Sequence, residues 1–197
     1  MSDTKTNKLS AAQLSDVLQS CDLPAEAQAL IIGMADAMGI IAALTQAGFA
    51  IEATRVFAHA LPKREAVWWA CMCAAHTAPA QPAEGDLKAR ELSETWVRQQ
   101  SDETRRAAME EAKRTGFQSP EAWAAVAAFW SGNSLAPPDA PPVPPPAHLT
   151  GVAVAGAVAL ASVRGAPNRQ PHRLALFLQS AHDIAAGGPG RLQVETA

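Results

Sequence analysis

Nearly half of the hydrophobic residues in this chain are alanine, and that property narrows the folds open to it. Alanine is the strongest helix former and fills a sheet interior poorly. A core built from it, with a minority of larger apolar side chains, requires elements that approach closely. Packed helices are therefore expected. At 197 residues the chain is long enough to bury such a core without disulfides or a structural metal. A net charge of -3 leaves no basic footprint, which argues against nucleic acid and against an anionic membrane surface as partners.

The first residues, MSDTKTNKLSAAQLSDVLQS, are polar where a secretory signal needs an apolar run of roughly 7 to 15 residues. Residues 29–44 and 149–163 are apolar but fall short of the roughly 20 residues that span a bilayer, so both read as buried core helices. Cys21, Cys71 and Cys73 are odd in number. Reduced thiols in a cytoplasmic protein are the simplest account.

Helix signals recur along the chain. Residues 10–20 form one candidate, with Ser10 as N-cap and Leu14, Val17 and Leu18 on one stripe. Residues 24–46 are apolar on most faces and read as one central helix, in which Gly33 and Gly39 would admit a close neighbour. Gly48 stops it. Residues 50–60 place Ile51, Val56 and Phe57 inward, and Pro62 opens the next helix, which runs to His76. More than half of the charged residues fall in 63–118, mostly on two amphipathic helices. One spans 86–99 with Leu92, Trp96 and Val97 as anchors; the other starts at Ser101 and ends at Lys113, Arg114 and Gly116, matching the helix dipole at both ends. Ser119-Pro120-Glu121 starts another, which stops at Ser131-Gly132-Asn133.

Residues 135–148 are too rich in proline for helix or central strand and read as a polyproline II strap or spacer, with a ligand for an SH3-like or WW-like partner as the alternative. Residues 149–163 alternate large and small apolar side chains, but their alanine and glycine favour helix. A last helix, 170–186, stacks Leu174, Leu178 and His182 and ends at Gly187-Gly188-Pro189-Gly190. The expected fold is all-α, an irregular multi-helix bundle or helical-hairpin array. Residues 1–134 would form a helical domain, 135–148 the strap, 149–190 a helical pair on the same core and 191–197 a tail.

Motifs for chemistry are sparse. On a helix Cys71 and Cys73 point about 200° apart and cannot chelate one ion, so they read as core thiols. His59, His76, His148, His172 and His182 lack metal-ligand spacing and read as surface or helix-end residues. The acid pairs Asp102-Glu103 and Glu110-Glu111 read as solvated faces. No catalytic residue, metal ligand or cofactor site is assigned. The least ordinary combination is Lys63-Arg64-Glu65 followed by Trp68-Trp69. Two basic residues in a first turn oppose the dipole, and Trp beside Arg is typical of interface hot spots. The bland alternative puts Trp69 in the core, Trp68 as a half-buried lid, and Arg64 against an acid of a neighbouring helix.

The segments LPKREAVWWACMCA, SPEAWAAVAAFWSGNSLAPP and PPVPPPAHLTG resemble an uncharacterised bacterial family whose members share a Leu-Pro-Lys-Arg-Glu-Ala-Val-Trp-Trp-Ala core, a Trp-bearing helix ending in Phe-Trp-Ser-Gly, and a proline tract leading to an apolar helix. The resemblance covers about residues 49–190. Such genes occur among type VI secretion effector clusters, which implies an immunity or effector-handling role and supplies no catalytic residues to carry over.

The functional expectation is a non-catalytic cytoplasmic protein that binds a protein partner, a secreted toxin, as immunity protein or adaptor, with no small-molecule substrate. The candidate binding residues are Lys63, Arg64, Glu65, Trp68 and Trp69, together with Asp22, Glu26 and Asp36 of an acidic first third that also holds Asp16 and Glu52. The alternatives are a helical hydrolase or transferase using His59 or His76 with Glu65, and a structural component of a secretion assembly.

Overall fold

The computed structural model describes Leu9 and residues 14–195. Among them it contains no strand and ten α-helices: α1 (Leu14–Ser20), α2 (Ala25–Leu30), α3 (Ala37–Gln46), α4 (Ala50–Ala60), α5 (Lys63–His76), α6 (Glu84–Gln99), α7 (Asp102–Arg114), α8 (Pro120–Trp130), α9 (Leu149–Val163) and α10 (Gln170–Ala185). The fold is all-α, as the alanine content requires.

Alanine sets the packing at the centre. Ala124, Ala125, Ala127 and Ala128 of α8 and Ala153, Ala157 and Ala161 of α9 are fully buried, and these two helices lie side by side. With no bulk beyond Cβ, their backbones approach closely. Helix α9 also touches α4, α5 and α10, while α8 also touches α5, α6 and α7. The α6–α7 hairpin therefore covers one flank of the central pair, and α4 and α10 cover the other. Helices α1 and α2 extend that second flank through α4 and α3 respectively. The large buried side chains are Trp69, Phe57 and Phe177, which fill the space between α4, α5 and α10.

Caps account for several boundaries. Ser101 accepts from the Thr104 N–H and Ser119 from the Ala122 N–H, each at 3.1 Å, so both serine signals are used as expected. The expected central helix over 24–46 is broken in two. Gly33 adopts φ +78 with open space around it, and Asp36 then caps α3 by accepting from the Gly39 N–H at 2.7 Å. Gly33 thus lies in the turn between α2 and α3, and Gly39 in a capped first turn; close approach by another helix is not what either glycine serves. Ile51 is 37% exposed, not inward. Pro62 precedes the first residue of α5, one position earlier than its expected place. The proposed Ser10 cap lies outside the described residues. Among the described residues no single helix is long and apolar enough to cross a membrane.

Candidate functional site

The acidic candidates lie on and around α2. Residues 14–54 contain Asp16, Asp22, Glu26, Asp36 and Glu52 and no lysine or arginine. Asp22, Glu26 and Asp36 are exposed. They frame α2 and the turn after it, where Ile32 is 82% exposed and Leu30 is 46% exposed. Between this turn and α1 runs a groove of about 640 Å³ lined in part by Leu18, Asp22, Ile31, Ile32 and Met34. The Gly33 conformation pushes Ile32 outward: the chain reverses there, and the side chain before the reversal has no helix to lie against. An apolar tip with an anionic rim results. Sequence reading found the acids and missed the isoleucine, because 24–46 looked like one buried helix.

The tryptophan candidates sit elsewhere. Trp69 is fully buried and its Nε1–H donates to the Phe177 carbonyl at 3.0 Å, so it has no surface to offer a partner. Trp68 is half-buried, and its Nε1–H donates to the Pro189 carbonyl at 2.6 Å. The bland reading holds for both. Arg64 pairs at 3.1 Å with its sequence neighbour Glu65, not with an acid of another helix, and Lys63 is exposed.

Trp68 is covered by a C-terminal segment that folds back after Gly187, φ +90. Gly190 N–H donates to Asp183 Oδ2 at 2.8 Å, and the Ser180 hydroxyl donates to the Gly190 carbonyl. His76 Nδ1–H donates to the Gln193 carbonyl, and the Glu195 N–H donates to the His76 carbonyl at 2.7 Å. Glu195 pairs with Arg173 at 2.6 Å and Arg169 at 3.4 Å. His76 is thus a helix end but not a surface residue; it is 6% exposed and edge-on to Phe177. The stretch read only as a tail is docked as far as Glu195.

A cleft of about 910 Å³ lies where the starts of α6 and α8 meet the ends of α7 and α9. Asp86 there accepts from the Ser119 hydroxyl at 2.6 Å. Glu111 takes Arg114 Nη2 on both oxygens, at 2.6 and 2.5 Å. Glu111 is buried, so the acid pair Glu110-Glu111 is not a uniformly solvated face. Behind the cleft, the buried Glu121 holds Arg164 through two bonds of 2.9 and 2.5 Å. Each of these three carboxylates already has a donor, which organises helix ends.

His59 lies against Gly151 of α9 and shares a small pocket with His148 and Asp16. Burial, reinforced by the nearby His148, lowers its pKa to about 4. Cys21, Cys71 and Cys73 are buried and unpaired. Burial pushes the Cys21 thiol up to about 12 and the other two upward as well, so none is a ready thiolate nucleophile or ligand. Among the described residues no group of three or more His, Cys, Asp or Glu is placed to hold a metal ion.

No curated protein and no solved structure matches the chain. One family model matches residues 40–185, which takes in α4 to α10 and the tryptophan, Phe-Trp-Ser-Gly and proline segments. On that match the chain belongs to a family of unknown function, DUF6931.

Proposed function

We propose that this protein is a non-catalytic binding module that acts in the cytoplasm on a protein partner, as an immunity protein or adaptor for a type VI secretion toxin. The observation that carries the reading is the α2 tip: Ile32 at 82% exposure, rimmed by the exposed Asp22, Glu26 and Asp36, with Arg55 donating to the Asp22 carbonyl at one edge. An exposed branched aliphatic side chain inserts into a pocket, and a rim of one charge sign speeds and orients encounter with a surface of the other sign. The partner face is therefore basic with an apolar centre. A toxin that binds nucleic acid carries a face of that kind, and occluding it over about 800 Å² on each side would block it.

The test is gel filtration of the purified chain mixed with the purified product of an adjacent effector gene. A one-to-one complex is expected, weakened by salt and lost on Ile32→Lys. Failure to form a complex with any adjacent effector overturns the reading.

A further inference from the structure

The proline tract is not absorbed by that reading, and the structure displays it. Residues 137–144 are all exposed, and Val143 is 53% exposed. A passive linker would be tied at neither end, but this one is closed at its base. The Leu135 N–H donates to the Val143 carbonyl at 2.8 Å, and the Ser134 hydroxyl oxygen accepts from the N–H groups of Ala136 and Val143. Arg106, held by Asp102, donates to the Ala136 carbonyl at 2.7 Å, and a turn from Pro137 to Ala140 is closed at 3.1 Å. The loop is anchored to α7 and carries its prolines outward.

The run that leaves the Pro137–Ala140 turn is Ala140-Pro141-Pro142-Val143-Pro144, with the Val143 backbone bonded to the base of the loop and its side chain exposed. Proline fixes its own φ, and a residue before proline is driven to extended or polyproline II geometry. In a polyproline II helix, with about 3 residues per turn, positions three apart fall on one edge. In that geometry Ala140-Pro141 and Val143-Pro144 would stand on the same edge. Among the described residues no donor reaches the carbonyls of Pro141, Pro142, Pro144 or Pro145, and no cation pairs with Asp139 beside them.

We infer that residues 140–144 are a polyproline docking ligand for a partner protein whose groove is lined by aromatic rings, carries an indole or phenol donor, and is flanked by a basic residue that meets Asp139 in the turn before them. Stacked proline dipeptides fit between aromatic rings, the free carbonyls accept from the donor, and a segment already rigid loses little entropy on binding. This surface is separate from the α2 tip, and either can fail alone.

The probe is a purified, isotope-labelled SH3 domain, chosen with a basic residue flanking its aromatic groove and titrated with the unlabelled full chain. The reporter is the indole N–H of the groove tryptophan. A saturable shift in the micromolar to millimolar range is expected, at least tenfold weaker for Pro141→Ala/Pro144→Ala and several-fold weaker for Asp139→Lys. Both variants change exposed side chains, and circular dichroism checks that they fold. An indole that stays silent at millimolar chain, or a shift that the double substitution leaves intact, overturns the inference.

Discussion

Arg173 and Glu195 form a junction between two parts of the chain that have no sequence relation. The Arg173 guanidinium, 3% exposed, gives Nη2 to Glu195 at 2.6 Å while its Nη1 donates to the carbonyls of Ser162 and Arg164 at 3.2 and 2.7 Å. One side chain therefore satisfies the orphan carbonyls at the end of α9 and holds the returning C-terminal segment against α5.

That junction titrates. The Arg173 hydrogen bond holds the Glu195 carboxyl below its ordinary value of 4.5, against the opposing effect of burial. A carboxylate with a lowered folded-state pKa contributes stability that is complete above the unfolded value and is lost as pH falls through the folded one. Docking should be full above about pH 4.5 and weaken below it. The reporter is hydrogen exchange of the Glu195 amide, which donates to His76. A hydrogen bond to a charged group is worth about 1.5–3 kcal/mol, so Glu195→Gln at neutral pH should lower the protection factor roughly tenfold or more. Equal protection in the variant would refute the latch.

The Glu121–Arg164 pair should behave as a buried ion pair. Removing Arg164 alone strands a carboxylate that is 2% exposed. The cost expected for Arg164→Ala is about 3 kcal/mol, the low end of the range for breaking buried pairs, since the arginine side chain itself is 20% exposed. Glu121→Leu/Arg164→Met should unfold at higher urea than Arg164→Ala, because it leaves no charge unpaired. A double variant no more stable than Arg164→Ala would show that the stranded Glu121 carboxylate is not the source of the loss.

How much of this was legible in sequence follows from the range of each interaction. The bounds of α4, α5 and α9 and the caps Ser101 and Ser119 were readable, because helix starts and stops are set within a few residues. The break after α2 was also written locally, in Gly33 and in Asp36 three residues later. The apolar residues on both sides outweighed it and suggested one helix. The roles of Trp68, His76 and Arg173 were not readable. Each is fixed by the returning segment, through Pro189, Gln193 and Glu195, and no local pattern announces a partner so far along the chain. The acidic rim was visible as charge, but the exposure of Ile32 depends on a reversal that periodicity does not encode.

Gly151 of α9 is where the α4–α9 packing is most sensitive. A Cβ there would lie 2.6 Å from His59 Cγ and would overlap the ring more closely still at Nδ1. In an exposed helix Gly→Ala gains roughly 1 kcal/mol; here overpacking at about 1–3 kcal/mol opposes it. Gly151→Ala should therefore be destabilising, and His59→Ala in the same chain should restore the helical gain, a coupling that a thermal-unfolding double-mutant cycle measures. The same contact carries a pH dependence distinct from that of Glu195. His59 is half-buried, and its pKa is lowered from 6.5 to about 4, so the unfolded chain binds the proton first. Stability should be complete above pH 6.5 and fall between 6.5 and 4. His59→Gln should reduce the loss in that window, leaving the share of His182, whose pKa burial also lowers, and should leave the more acidic loss, to which Glu195 and Asp102 contribute, in place. A profile unchanged by His59→Gln would show that the imidazole is not the group that resists protonation.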